Sequence, residues 1–168
     1  MKERKVPQNS IAVYGVSVAV SLVLSYIESV IPINLGIPGA KLGLPNMVTV
    51  FLLYIADAAG AAGVSAMRIV LSGAMYGNMF SILYSMSGAA LSFLCMLIAK
   101  KSGKFGVMGV SVMGGITHNF GQLICASFIA GGYVMTYLPV LILAGCVAGT
   151  AIGVLSAEII KRVGRYFK

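Results

Sequence analysis

The chain has 168 residues, of which 59% are hydrophobic and only 10% are charged, and its mean hydropathy is +0.98. Soluble globular domains carry about 25% charged residues, so this composition excludes a water-soluble enzyme and a disordered chain. An integral membrane protein remains, with a formal net charge of +8.

Six segments are apolar enough to cross a bilayer as helices, which takes about 20 residues at about 1.5 Å rise per residue. The first covers residues 11–31; basic residues precede it, but it lacks a small-residue cleavage site, so we expect it to be retained. The second, 44–56, is short and stops near Asp57. The others cover residues 58–76, 79–99, 105–130 and 135–160. The sequence therefore predicts one membrane domain, 1–168, that is an all-α bundle of six transmembrane helices.

The positions of the cations predict the orientation of this bundle. Ten of the twelve cations lie in three clusters between or beyond the apolar segments: Lys2, Arg4 and Lys5; Lys100, Lys101 and Lys104; Lys161, Arg162, Arg165 and Lys168. Cytoplasmic loops and tails that face anionic lipid headgroups have this distribution, whereas a nucleic-acid site would gather its cations on one element. We therefore expect both termini inside the cell, the lipid bilayer as a partner and no nucleic acid.

Small and polar residues recur at helical spacing in most of the segments. Such stripes are typical of helix–helix contacts inside a bilayer, because no water drives helices together there. The stripes comprise Tyr14, Ser17, Ser21 and Ser25; Ser65, Ser72 and Tyr76; Asn78, Ser81, Ser85, Gly88 and Ser92; Ser111 and Gly115; and Gly145, Gly149 and Gly153.

The ionisable and amide side chains within these segments allow two interpretations. Arginine at the centre of a membrane helix costs about 2.5–3.5 kcal/mol on insertion scales, so it needs a partner or a polar cavity. In the first interpretation Arg68 pairs with Glu28 in a buried structural lock. In the second, these side chains line a ligand pocket open to the outside, and the excess of cations, with Lys41 and Arg68 against Glu28, favours an anionic or strongly polar ligand. The residues assigned to this pocket are Glu28, Lys41, Asn46, Arg68, Tyr84, His118, Asn119 and Gln122.

The loop at 36–46 contains two prolines and three glycines, so it cannot form a continuous helix. It is either a plain connector or a segment that brings Lys41 and Asn46 to the ligand.

Several kinds of chemistry have no residues to support them. The chain has no Walker A sequence, and its single aspartate, Asp57, cannot form an aspartate-rich magnesium site. His118 is the sole histidine and has no cysteine or carboxylate at ligand spacing, which argues against zinc and haem. We therefore expect no metal, no cofactor and no catalytic residues, and a chain that is not an enzyme.

Four motifs resemble the Gx transporter family, also named heptaprenyl diphosphate synthase component I, over about residues 11–160. They are Pro38-Gly-Ala-Lys-Leu-Gly-Leu-Pro-Asn46, Arg68-Ile-Val-Leu-Ser-Gly73, Tyr84-Ser-Met-Ser-Gly88 and Gly114-Gly-Ile-Thr-His-Asn-Phe-Gly-Gln122. That family is similar to the substrate-binding S-components of energy-coupling factor (ECF) vitamin transporters. The resemblance implies six helices, a ligand site near the outer side, and a coupling subunit driven by two ATPases that contacts the first helix, here through Ala12, Gly15 and Ala19.

Two functions follow from these patterns and the resemblance. The first is an S-component-like membrane subunit that takes up a small ligand such as a vitamin, a flavin or an isoprenoid or quinone precursor. The second is a non-catalytic membrane component of heptaprenyl diphosphate or quinone synthesis, or of flavin-based extracellular electron transfer beside a redox lipoprotein. A catalytic role for the purified chain is a third hypothesis. The residues do not support it, because prenyl diphosphate synthases use aspartate-rich motifs and this chain has a single aspartate.

Overall fold

The structure, a computed structural model, describes residues 10–30 and 43–164. Six α-helices account for most of these residues, with a short 3₁₀ segment, Gly132–Tyr137, before the last one. The helices are α1 (Ser10–Val30), α2 (Asn46–Ile55), α3 (Ala58–Tyr76), α4 (Met79–Ser102), α5 (Val107–Ala130) and α6 (Leu138–Val163). The described ranges contain no strand, so the all-α prediction is confirmed.

Within the described ranges four stretches are long and apolar enough to cross a membrane, which makes this a membrane protein: Ile11–Val30, Ala58–Tyr76, Met79–Ser102 and Gly132–Val163. Helix α5 has 24 residues, a sufficient length, but His118, Asn119 and Gln122 dilute its apolar sequence and it is not among the four. Helix α2 has 10 residues, so at about 1.5 Å per residue it covers only about half of a ~30 Å hydrocarbon layer. The span expected at 44–56 is therefore a half-length helix.

Local sequence signals explain where the helices begin and end. The Asp57 carboxylate accepts a hydrogen bond from Gly60 N at 2.7 Å and starts α3. Asn78 and Ser81 form a reciprocal capping box at the start of α4. Gly103 ends α4 with φ at 69°, a left-handed conformation that favours glycine.

The main helix contacts form a ring in the order α1, α3, α4, α5, α6, α2 and back to α1, with α2 also touching α3. Lys100 and Lys101 lie at the last turn of α4, and Lys161 and Arg162 at the last turn of α6. We call this end of the bundle the basic end. Helix α2 ends there too, because the Lys100 ammonium donates a hydrogen bond to the Leu53 carbonyl oxygen.

The apolar core lies around α2, in the half of the bundle nearer the basic end. It comprises Val48, Val50, Leu52, Leu53, Ala61, Val64, Met96, Ala99 and Val110. Because α2 is short and occupies its place in the ring only over this half, no described helix fills that place in the other half.

In helix α1 the polar side chains face the other helices and the apolar ones face outward, which is the opposite of a helix in a soluble protein. Ser17, Ser21 and Ser25 are buried against the bundle, whereas Val16 and Val23 are 64% and 59% exposed. This pattern fits a helix whose outer face contacts lipid, and it confirms that the serine stripe of the first segment faces other helices.

Candidate functional site

A cavity of about 250 Å³ lies between α1, α3, α4, α5, α6 and the beginning of α2. On α5 it extends from Ser111 to Gln122, a distance of about 16 Å at 1.5 Å per residue. It reaches Gly77, in the connection between α3 and α4, at the end of the bundle opposite the basic end. The polar residues that line it are Ser25, Glu28, Ser29, Asn46, Arg68, Ser72, Tyr76, Ser81, Ser85, Ser111, His118, Asn119 and Gln122.

Arg68 projects from the middle of α3 and is the cation of this lining. Its Nη1 donates a hydrogen bond of 3.3 Å to Ser25 Oγ on α1. Its Nε is fully buried and has no hydrogen-bond partner among the described residues. A buried guanidinium nitrogen without a partner is costly, so Arg68 has a donor left to satisfy, and protein atoms cover this nitrogen in the present conformation.

Glu28 supplies the carboxylate of the lining. Its Oε1 accepts a hydrogen bond from Gly43 N, three residues before α2 begins, and its charge attracts the Arg68 guanidinium. The two side chains therefore attract each other electrostatically, while a backbone N–H holds the carboxylate. The lock and the pocket are not exclusive alternatives, because both residues line the same cavity.

His118, Asn119 and Gln122 enter the cavity from α5. Asn119 is held by its amide, whose Nδ2 donates a 2.8 Å hydrogen bond to the Leu141 carbonyl of α6. A Cβ atom at Gly88 of α4 would lie 2.8 Å from the His118 carbonyl oxygen and 2.7 Å from Gln122 Cγ. The glycine therefore lets α5 approach α4 closely enough to place these two side chains.

Glycines also set the spacing between α5 and α6 along the cavity. A Cβ atom at Gly115 would lie 2.4 Å from the Gly145 carbonyl oxygen, and one at Gly149 would lie 2.7 Å from Val112 Cα. Both clashes are with backbone, so any side chain at either position would push the two helices apart. The glycine ridge predicted for the sixth segment is the packing surface for α5.

A family model described as heptaprenyl diphosphate synthase component I matches residues 8–159. The chain belongs to this family. No curated protein and no solved structure matches it. The family match covers α1 to most of α6, so it includes every described residue of the cavity.

In this member of the component I family, the cavity brings together six of the eight residues assigned to the ligand pocket: Glu28, Asn46, Arg68, His118, Asn119 and Gln122. Tyr84 is not in the described lining; it lies on α4, where its ring stacks on Phe80 with the centroids 5.8 Å apart. Lys41 lies outside the described residues. Ala12, Gly15 and Ala19, assigned to a partner, are exposed on α1.

Several lining residues were not singled out from the sequence of this component I protein. Gly43 and Pro45 belong to the motif that ends at Asn46, so their position beside the site had a signal. Ile69, Ala148 and Ile152 also line the cavity, but an apolar residue in an apolar helix carries no pattern that separates a cavity wall from a lipid contact.

Proposed function

We propose that this chain is the substrate-binding membrane subunit of an uptake system, similar to an ECF S-component, and binds a small anionic or strongly polar ligand. The observation that carries the proposal is the cavity itself, which gathers Arg68, His118 and Gln122 from two helices in the middle of an apolar bundle. Polar and ionisable groups inside a membrane are expensive, and a purely structural bundle has no need of a hollow beside them.

The size of the cavity limits what it can hold. Sites for drug-sized ligands have volumes of about 300–1,000 Å³, and this cavity of about 250 Å³ lies just below that range. A vitamin-sized molecule or the polar head of a larger one suits it better than an entire long prenyl chain.

The proposal places the basic end in the cytoplasm of a multi-pass plasma-membrane protein, since basic loops stay inside. With Lys100, Lys101, Lys161 and Arg162 inside, the cavity opens towards the outer half of the membrane. In this arrangement α2 belongs to the second crossing, and both termini are inside.

The handover of ligand to the cell requires partners, because the sequence contains no Walker A motif. We propose a coupling subunit with ATPases, bound through Ala12, Gly15 and Ala19. A Cβ atom added at Gly15 would meet no atom within 4 Å, which leaves room for a partner helix against this face.

The family description favours a second candidate function, a non-catalytic component of heptaprenyl diphosphate or quinone synthesis. The words "component I" in that description imply a partner component. Under this candidate the cavity holds a precursor or the polar head of a product for a soluble prenyltransferase, or serves a redox lipoprotein in extracellular electron transfer.

Two measurements on the full chain in lipid nanodiscs test these functions. Native mass spectrometry should detect a small molecule retained by the wild type and lost in Arg68→Gln, while Arg162→Gln, an exposed cation at the basic end, should retain it. Equal retention in the Arg68 and Arg162 variants would refute the pocket. Co-purification of a coupling subunit and ATPases supports uptake, and co-purification of a prenyltransferase or a redox lipoprotein supports the second candidate.

A further inference from the structure

The beginning of α2 faces the cavity at mid-depth of the bundle. Pro45 and Asn46 line the cavity, and α2 has no side-chain cap at this end, but its first three N–H groups already donate to carbonyls of the preceding turn, so the end offers an anion the helix dipole and not unpaired donors. The amino end of a helix carries a partial positive charge and attracts anions. A helix end alone does not make a site, but a second, independent positive group lines the same hollow.

That second group is Arg68. It is a cation in the same lining, and its buried Nε has no hydrogen-bond partner among the residues that the structure describes. The hydrogen bond that its Nη1 donates to Ser25 is 3.3 Å long, and its acceptor is an uncharged hydroxyl. An arginine binds carboxylate and phosphate groups with paired donors, and its Nε, which protein atoms now cover, would gain a partner if the side chain turned towards an anion.

An anionic group of the protein already interacts with Arg68 and with the backbone just before α2. The Glu28 carboxylate accepts a hydrogen bond from Gly43 N at the approach to α2, and it attracts Arg68 electrostatically. A second anion placed beside it would be repelled, and the repulsion is strong where water is scarce. Binding of an outside anion and the present position of Glu28 therefore oppose each other.

We propose that a carboxylate or phosphate group of the ligand binds between Arg68 and the beginning of α2, and that Glu28 is the internal anion it must displace. This inference rests on the proposed function and specifies the chemistry of its ligand. It predicts that removing the Glu28 charge tightens anion binding, which is the reverse of what a site for a cationic or neutral ligand would show.

The test uses the full chain in phosphatidylcholine nanodiscs, with inorganic phosphate and acetate as probes and chloride at matched ionic strength as the reference. The midpoint of thermal unfolding, followed with a thiol-reactive dye on the three free cysteines, reports binding. We expect half-saturation at about tenfold lower phosphate concentration in Glu28→Gln and at about tenfold higher concentration in Arg68→Gln, as for the gain or loss of one charge-assisted interaction. Glu158→Gln removes a carboxylate at the basic end and should match the wild type.

Arg68→Lys takes the place of Arg68→Gln in this test if Arg68→Gln does not fold. It retains a cation but loses Nε, so we expect it to bind phosphate more weakly than the wild type. Nanodiscs containing phosphatidylglycerol distinguish the source of the anion. Stabilisation of Glu28→Gln without added phosphate or acetate identifies a lipid headgroup, and stabilisation by the dissolved anions alone identifies a free solute.

The inference is overturned if Glu28→Gln binds phosphate and acetate no more tightly than the wild type, or if neither anion shifts any variant. Native mass spectrometry keeps this failure separate from failure of the proposed function. A small molecule retained by the wild type would leave the uptake role standing even if the anion site is wrong.

Discussion

Replacement of Gly88 by alanine is the most direct probe of how the α4–α5 contact builds the site. The added Cβ would lie 2.8 Å from the His118 carbonyl oxygen, and ordinary contact begins at 3.4 Å. Helix α5 must therefore retreat by about 0.6 Å, because a backbone oxygen cannot rotate away as a side chain can.

The contact between α5 and α6 limits this retreat. There Gly115 already meets the backbone of Gly145 so closely that a Cβ would lie 2.4 Å from the carbonyl oxygen. We expect Gly88→Ala to cost about 1–3 kcal/mol, the usual range for overpacking, or about 2–12 °C in midpoint for a chain of this size. Displacement of His118 and Gln122 should also weaken anion binding about tenfold.

Two glycine controls make the result specific. Gly63→Ala adds a Cβ with no atom within 4 Å, so it should be neutral or slightly stabilising, as expected for alanine in a helix. Gly114→Ala lies on the same α4–α5 contact but meets side-chain atoms, Met96 Sδ at 2.6 Å and Cγ at 2.9 Å, which can move by rotation, so it should cost less than Gly88→Ala. The thiol-dye midpoint and phosphate titration described above measure all three variants. If Gly88→Ala equals Gly63→Ala in both, Gly88 does not position the site.

Three further outcomes are expected in the same unfolding assay. The Tyr14 hydroxyl is the main group that holds the pKa of Asp57 below its usual range. The carboxylate's contribution to stability is therefore complete above about pH 4 and is lost as the pH falls through the lower folded-state pKa. Between pH 5 and pH 3 the wild type should lose more stability than Asp57→Asn, and parallel stability curves for the two proteins would contradict this. Gly149→Ala, whose Cβ would lie within 2.9 Å of two backbone atoms of α5, should destabilise by about 1–3 kcal/mol; an unchanged midpoint would show that the helices can separate freely. Ser92→Ala removes the buried 2.9 Å hydrogen bond to the Gly114 carbonyl and should cost about 0.6 kcal/mol without altering phosphate binding.

The helices were largely predictable because composition and capping signals agree. Asp57 and Asn78 stand at the N-caps of α3 and α4, within a residue of the predicted boundaries. The half-length of α2 was less evident, since hydropathy does not tell where a helix begins inside an apolar stretch. The 3₁₀ segment before α6 was missed for the same reason, because Gly132–Tyr137 is apolar enough to extend a helix.

The polar part of the cavity was also predictable, but its shape was not. Arg68 and His118 stand out because charged and polar groups are rare in membrane helices. The sequence could not show that Glu28 is held by Gly43 N, because that contact depends on how the loop returns to α2. The serine stripe of α4 correctly marks the face that reaches the cavity, through Ser81 and Ser85, but Tyr84 lies beside that stripe and its ring stacks on Phe80.

The reversed polarity of α1 has a consequence for handling the protein. Its hydroxyls face inward and its valines outward, so the hydrophobic effect does not hold this helix to its neighbours, and packing and hydrogen bonds must do so. Solubilisation in small detergent micelles, which lack the lateral pressure of a bilayer, should loosen α1 before the glycine-packed α5–α6 pair. Since Ser25 and Glu28 form one wall of the cavity, we expect the choice of extraction medium to decide whether that wall is intact in a purified sample.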